Sequence, residues 1–314
     1  MAGSSGSSGS ATGGAGTGGG AEIERAGLLE VEFVLASATG TPAYTSVGGR
    51  IYDGLVPPDR YWNVAGEASG CTLYTPRPIL CDPACSAAEA CVLQGGNATC
   101  ASQPGAHDAG TLTVSGLRTA DGSTTFSIEP TLSTDGTIVT YQSPTLPEKA
   151  ADDGAPVRIE TPAGSTDPFL LEALAVLPLE LAEGSVAVEA GSPVSLSWVP
   201  APSGSARLQI KLDISHHGGS KGKIECDVAD SGSFDIPAAL ITDLVALGVA
   251  GYPTIQVARA TSGRASIAAG PIELLVFSGA ERPVVVPGVT SCMANEECPA
   301  GQSCDFQNFT CAAL

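Results

Sequence analysis

Residues 193–228, PVSLSWVPAPSGSARLQIKLDISHHGGSKGKIECDV, contain the clearest strand pattern in the chain. Apolar residues alternate with other residues here in three runs: Val194, Leu196 and Trp198; then Leu208, Ile210, Leu212 and Ile214; then Ile224, Cys226 and Val228. Because successive side chains of a strand point to opposite faces, an apolar set at period two predicts a strand with one buried face. The three runs therefore predict a half-buried sheet.

The same signals continue on both sides of this stretch. About seven strands are predicted between residues 151 and 288, at the spacing of a β-sandwich. One short helix is predicted near 237–247, with Asp235 as its cap and Pro237 in its first turn. Its apolar stripe consists of Leu240, Ile241, Leu244 and Leu247.

The upstream part predicts a second β-domain of similar size. Strand and turn signals run through residues 23–150, interrupted by a cysteine-rich insertion at 71–106. A segment rich in Pro, Gly and Asp places the boundary near residue 150. The fold class predicted is mainly β: two β-sandwich-like domains, two small disulfide-rich modules and one short helix. The predicted division is a flexible Gly/Ser tether at 1–22, domains at 23–150 and 151–288, and a C-terminal disulfide knot at 289–314.

Ten cysteines are the strongest single clue to where the protein works. They are Cys71, Cys81, Cys85, Cys91, Cys100, Cys226, Cys292, Cys298, Cys304 and Cys311. An even number in two tight clusters predicts disulfides, which persist in an oxidising compartment. Zinc is the competing interpretation, but no Cys-x-x-Cys pair occurs.

Two bridges within each cluster leave one pair of cysteines over. Four cysteines at 81–100 and four at 292–311 suffice for two small knots, which short segments need in place of a core. Cys71 and Cys226 remain, and we predict that they join the two domains. The pairing inside each knot cannot be read from spacing.

Charge and hydropathy exclude several classes of function. Lys and Arg number 14 against 33 acidic residues, a net charge of −19. Nucleic-acid binding needs clustered positive charge, so we expect no nucleic-acid partner. The sequence contains no apolar run of about twenty residues, so we expect no transmembrane helix. No signal peptide is visible after Met1, and we expect that the original start was removed.

Two resemblances add expectations about fold and place. Residues 180–287, with Trp198 in an early strand, resemble a fibronectin-type or immunoglobulin-like sandwich, although Cys226 has no partner inside this unit. The tail C-x5-C-x5-C-x6-C and the order of parts resemble uncharacterised Cys-rich exported lipoproteins of the myxobacterial type. That resemblance implies a cell-surface or secreted location, with an outer-membrane lipid anchor, and no known activity. The tether is either native or an engineered linker.

The segment 214–222, ISHHGGSKG, is the candidate for metal chemistry. It resembles the SHHGS segment of metallo-β-lactamase-fold hydrolases, which implies a metal-binding histidine. The HxHxDH motif of that family is missing, and His107 is the only other histidine. The alternatives are a polar hairpin loop and a transition-metal site formed by His216, His217 and Asp213.

Other candidate sites are weaker. Tyr52, Tyr61, Trp62 and Tyr74 form an aromatic group that is either core or a sugar site. The acidic turns at Asp152-Asp153-Gly154 and at Asp227 and Asp230 are either solvated or bind calcium. No catalytic residues are predicted, because neither a nucleophile elbow nor a phosphate-binding loop occurs.

The sequence therefore favours a non-enzymatic exported binding or scaffold protein, whose partner is an unknown extracellular protein or glycan. The first alternative is a metal-binding protein or metalloenzyme. The second is a structural subunit of a surface fibre or envelope assembly that self-assembles.

Overall fold

The computed structural model describes residues 24–36, 40–134, 138–215 and 221–314. The predicted tether at 1–22 lies outside the described residues.

The described chain is mainly β, as predicted, with one α-helix. The first ten strands are β1 (Gly27–Val34), β2 (Tyr44–Ile51), β3 (Tyr61–Ala68), β4 (Cys71–Arg77), β5 (Glu89–Gln94), β6 (Asn97–Ser102), β7 (Leu112–Ser115), β8 (Thr125–Ile128), β9 (Pro130–Leu132) and β10 (Val139–Gln142). The next seven are β11 (Pro156–Glu160), β12 (Leu170–Leu174), β13 (Val186–Ala187), β14 (Val194–Ser197), β15 (Arg207–Asp213), β16 (Lys223–Ala229) and β17 (Ser233–Ile236). They are followed by α1 (Ala238–Ala246), β18 (Thr254–Ile267), β19 (Gly270–Val285), a 3₁₀ turn (Asn295–Glu297), β20 (Gln302–Asp305) and β21 (Thr310–Ala313).

Strands β13 to β19 form a sandwich that includes the described part of residues 193–228. β14 pairs with β17, and on the other side the order is β16-β15-β18-β19. β13 runs parallel to the end of β19, and Leu181 bridges Trp198 beside β14. Two facing sheets with this order match an immunoglobulin-like sandwich. The predicted alternation is confirmed, since Leu208, Ile210 and Leu212 are buried and their neighbours are not.

A second sandwich is built mostly from the upstream strands. Its first sheet contains β1, β2, β9 and β10, and its second has the order β12-β11-β7-β8. Residues from both sheets form one core, including Val31, Val114 and Leu171. The predicted fold class of two β-sandwich-like units is therefore confirmed.

One long hairpin belongs to both sandwiches. β18 and β19 pair without a break from Thr254 opposite Pro283 to Ile267 opposite Gly270. Near their open end, Ile255 and Val284 lie in the core of the downstream sandwich. Beyond the middle, Ile267 and Leu274 lie in the core of the upstream sandwich, where β19 runs parallel to β1. The two sandwiches consequently share a continuous sheet instead of meeting at a linker.

The predicted domain boundary near residue 150 is therefore corrected. β11 and β12, which follow residue 150, belong to the upstream sandwich. The hairpin β3–β4, which precedes it, pairs through β4 with β16 of the downstream sandwich. Alternation shows which face of a strand is buried, but not which strand lies beside it. The sequence pattern therefore does not reveal that β11–β12 and β3–β4 belong to the opposite sandwiches.

The predicted helix is present, but its cap differs. α1 lies within the predicted range and buries Leu240, Ile241 and Leu244 against the downstream core. Its first residue follows Pro237, without a side-chain hydrogen bond at the cap, and Asp235 lies in β17. The chain is still extended at Asp235 because β17 pairs with β14 there.

Candidate functional site

All ten cysteines form disulfide bridges, five in total. Cys71 and Cys226, the pair left over in the sequence, are bonded to each other. They occupy opposite positions on β4 and β16, and both are buried. This bridge fastens the β3–β4 hairpin to the edge of the downstream sandwich.

The other eight cysteines form two knots with the same connectivity. In the first knot, Cys81–Cys100, the bridges are Cys81–Cys91 and Cys85–Cys100. In the second knot, Cys292–Cys311, they are Cys292–Cys304 and Cys298–Cys311. Each knot bonds its first cysteine to its third and its second to its fourth. The third and fourth cysteines face each other across a hairpin, β5–β6 or β20–β21. The predicted insertion at 71–106 includes β4, which pairs with β16, so the disulfide-rich module is shorter than the predicted insertion.

Both knots contact the downstream sandwich. In the first knot, the Leu93 N–H donates to the Tyr61 hydroxyl on β3, at 2.9 Å. In the second, the Asn308 carbonyl accepts from the Gly251 N–H at 2.6 Å, in the loop after α1. Sulfur atoms of three cysteines in each knot lie close enough to suggest a metal site. Those atoms are all consumed in disulfides, whereas zinc binds thiolates.

The metal site predicted at the end of β15 rests on three residues, two of which lie outside the described part of the chain. Those two are His216 and His217. The third, Asp213, is described, and its Oδ1 accepts from the backbone N–H and the hydroxyl of Ser215, at 2.8 and 3.0 Å. The metal site stays a prediction, to be tested by metal analysis of untagged protein and of a His216→Ala/His217→Ala variant.

The predicted aromatic group is only partly brought together. Trp62 and Tyr74 meet edge to face with ring centroids 6.5 Å apart. The Lys223 ammonium lies 4.3 Å from the Trp62 centroid and 2.6 Å from Glu225 Oε1. The Tyr61 hydroxyl instead accepts the hydrogen bond from the Leu93 N–H of the first knot. Because a cation from the protein itself lies over the Trp62 ring, these contacts favour a packing role for the cluster over a sugar site.

The acidic residues considered for calcium have protein partners. Asp152 pairs with Arg118, and this hydrogen bond lowers the pKa of the Asp152 carboxyl below its ordinary value. Asp153 accepts from the Ser203 N–H at 2.9 Å, and Asp227 pairs with Arg207. The fourth carboxylate, Asp230, belongs to a buried ion pair.

That buried ion pair was not found by sequence reasoning. Asp230 and Arg259 have side-chain exposures of 1% and 2%, and Arg259 Nε donates to Asp230 Oδ2 at 2.8 Å. Asp230 also accepts from Trp198 Nε1 at 2.6 Å and from the Ala201 N–H at 2.9 Å. Arg259 donates further to three backbone carbonyls, those of Leu177, Pro178 and Val199. The charges are thus paired and hydrogen-bonded, as burial requires.

A cleft of about 440 Å³ with a mixed polar and apolar lining lies where the two sandwiches meet. The upstream sandwich contributes Glu172 to Leu174 of β12, and the downstream sandwich contributes Arg207, Gln209 and Asp227. The shared strand β18 forms the floor with residues 260–262 and Arg264, and Ser205 lies at the rim. Its volume falls within the usual range of small-molecule sites, which occur preferentially at such junctions. Because the lining comes from four strands far apart in the chain, no local motif marks it.

The charges around the cleft are unequally paired. Glu172 bonds to Arg158, and Asp227 bonds to Arg207. Arg264 reaches only Glu273, at 3.5 Å, while Glu273 has a nearer partner, Arg25, at 3.1 Å. Arg264 is half exposed, with 49% of its side chain accessible. Among the described residues, it is therefore the lining cation with most hydrogen-bonding capacity left.

Two glutamates on β1 make stability depend on pH. Burial raises the pKa of Glu30 and of Glu32 above the ordinary value of 4.5. Arg25 opposes this shift at Glu30, and Glu32 adds to it. Each native carboxyl thus keeps its proton to a higher pH than it does in the unfolded chain. This contribution to stability is present below pH 4.5 and is lost as pH rises through the raised pKa values.

We expect a Glu30→Gln/Glu32→Gln variant to be more stable than the natural chain at pH 7, because it buries no ionised carboxylates. The difference should shrink as pH falls toward 4.5. Urea unfolding at both pH values measures it, with exposed Glu67→Gln as the control. A gain in stability that is the same at both pH values would contradict the explanation.

Comparison with known proteins finds no matching family and no matching curated protein. Among solved structures, the FN1–FN3 domains of chicken CNTN1 align with 74% of this chain and 77% of that chain, at 12% identity and a TM-score of 0.19. A TM-score this low supports no argument, so the sandwich assignment rests on the strand order. No helix among residues 24–36, 40–134, 138–215 and 221–314 is long and apolar enough to cross a membrane.

Proposed function

We propose that this protein is a non-enzymatic, exported binding or scaffold protein of a bacterial cell surface. The observation that carries the proposal is that every cysteine is bridged. Five disulfides in one chain indicate an oxidising, extracytoplasmic compartment. A lipid anchor on the N-terminal side of the tether completes the proposal. Residues 1–22 contain no cysteine to carry it, so its support is their Gly/Ser-rich composition, which is typical of the segment after a lipidated cysteine, and the order of the parts.

The architecture suits presentation of a surface. The shared β18–β19 hairpin joins the two sandwiches through continuous backbone pairing, so they present one body to a partner. The two knots replace a hydrophobic core with cross-links, which suits small modules outside the cell. The partner class is an extracellular protein or a glycan.

Localisation in the native producer tests this function. We expect antibodies to detect the protein on intact cells, and a membrane-impermeant protease to remove that signal without cell lysis. A cytoplasmic marker protein must stay intact as the control. Recovery of the protein only from the cytoplasmic fraction would contradict the proposal.

A structural subunit of a surface assembly is the second candidate, and one observation favours it. Among the described residues, β3 pairs only with β4, which leaves one edge of the large sheet unpaired. An open edge is a template for another strand, although the bulge between Val64 and Gly66 weakens it. Light scattering over a concentration series decides, because growth into polymers would favour this candidate over a monomeric binder.

A further inference from the structure

We propose that the cleft between the sandwiches binds a uronic-acid sugar unit, with Arg264 pairing the sugar carboxylate. This inference rests on the proposed binding function and gives it a site and a ligand class. The cleft places Arg264, which has unused N–H donors, beside side chains that donate hydrogen bonds and side chains that accept them.

Arg264 supplies the positive charge that would pair with the sugar carboxylate. Each lining carboxylate already has its own arginine, Glu172 with Arg158 and Asp227 with Arg207, so neither needs Arg264. The contact of Arg264 with Glu273, at 3.5 Å, is longer than a good charge-assisted hydrogen bond. A guanidinium binds a carboxylate through two parallel N–H donors. In a chain with 33 acidic residues and 14 basic ones, an arginine in a cleft whose one ion pair is long and leaves donors unused is a specific place for an anion.

The remaining lining groups suit hydroxyls. Arg207 offers donors, Glu172 and Asp227 offer acceptors, and the hydroxyls of Ser205 and Ser262 do both. Gln209 Oε1 is buried and has no hydrogen-bond partner among the described residues. A turn of its amide would offer this acceptor, or the N–H donors, to a ligand. Sugar hydroxyls donate and accept, and therefore match such a mixed lining.

The same lining argues against the carboxyl end of a peptide as the ligand. Among the described residues of the lining, Leu174 is the only large apolar side chain, and the other apolar groups are alanines and the Thr261 methyl. Leu174 alone would offer a large side chain against which an apolar side chain of a bound peptide could pack. The described part of the lining contains no aromatic ring either. Affinity should therefore come mainly from charge and hydrogen bonds, and it should fall as salt concentration rises.

Isothermal titration of the full chain tests the proposal. The probes are the methyl glycosides of glucuronic and galacturonic acid, and the uncharged controls are methyl glucoside and methyl galactoside, all up to millimolar concentrations. We expect a uronate to bind, its neutral counterpart to bind at least about tenfold more weakly, and Arg264→Gln to weaken uronate binding about tenfold or more. Arg77→Gln, an equal charge change at the far end of β4, should leave binding unchanged.

A second variant distinguishes loss of the binding site from loss of the fold. Ser262→Leu places bulk in the cleft without changing charge, and should also abolish binding while circular dichroism and the disulfides stay native. Lack of uronate binding by the folded protein would overturn the proposal. It would also be overturned if the neutral sugars bound as tightly as the uronates, or if the Arg264→Gln variant bound uronates as tightly as the unchanged protein. Binding of acetyl-alanyl-alanine but not of uronates would also overturn it. These failures leave the surface location untouched, since that is measured separately on cells.

Discussion

Replacing Arg259 with methionine is expected to cost about 3–5 kcal/mol of unfolding free energy. The substitution leaves the carboxylate of Asp230 buried without its cation. It also leaves the carbonyls of Leu177, Pro178 and Val199 without their donor. Buried charges and polar groups that lose their partners carry the full cost of leaving water.

The position of the Arg259–Asp230 pair explains why Arg259→Met should destabilise the whole molecule and not only its surroundings. Arg259 lies on β18, near the middle of the shared hairpin. Its guanidinium reaches the segment at Leu177 and Pro178, which follows β12 of the upstream sandwich, and Val199 of the downstream one. The Arg259 side chain thus links the segment after β12 to the shared hairpin and to the downstream sandwich.

Arg207→Met is the matched control. Arg207 lies on the neighbouring strand, beside the position of Arg259, and pairs with Asp227 on the surface. Its side chain is 55% exposed, and exposed pairs contribute about 1 kcal/mol or less. Denaturant unfolding of both variants under oxidising conditions gives the comparison. Equal losses would show that burial of the Arg259–Asp230 pair does not matter.

Removing the Cys71–Cys226 bridge is expected to have the second large effect. The bonded residues are 155 positions apart, and the chain-entropy estimate for a loop of that length is about 5 kcal/mol. The bridge also holds the β3–β4 hairpin, which pairs with β16 only from Cys71 to Tyr74. We therefore expect Cys71→Ala/Cys226→Ala to lower the unfolding free energy by about 4–5 kcal/mol.

A double variant in the first knot provides the comparison. The Cys85–Cys100 bridge closes a span of 15 residues, and neither cysteine belongs to the two core clusters. The same chain-entropy estimate gives about 3 kcal/mol for a span of this length. Cys85→Ala/Cys100→Ala should therefore cost less stability than loss of the Cys71–Cys226 bridge, and should act mainly by loosening the knot locally. If both double variants lost the same stability, the Cys71–Cys226 bridge would have no special role in joining the parts.

Local features of the fold could be predicted from the sequence. The period-two pattern at Leu208, Ile210 and Leu212 identified β15 and its buried face, because that pattern is a direct consequence of strand geometry. The apolar stripe of α1 was found from the 3.6-residue period of a helix, which is equally a direct consequence of backbone geometry. The pair Cys71 and Cys226 followed from counting, since the other eight cysteines form two complete sets.

Long-range arrangement could not be predicted. The pairing of β4 with β16 and the division of β18–β19 between two cores depend on which strands come together, and periodicity is silent on that. The ion pair of Asp230 and Arg259 looked like an ordinary acidic turn and a strand arginine. The cleft escaped because its residues come from β12, β15, β16 and β18. The histidine pair, the most visible motif, lies outside the described residues.

Thiol titration of denatured, unreduced protein tests the central claim that all ten cysteines are cross-linked outside the cytoplasm. Material isolated from the native producer, with thiols blocked at lysis, should show no reactive thiol before reduction and ten after it. Several reactive thiols before reduction would contradict the bridges, the compartment and the surface function together.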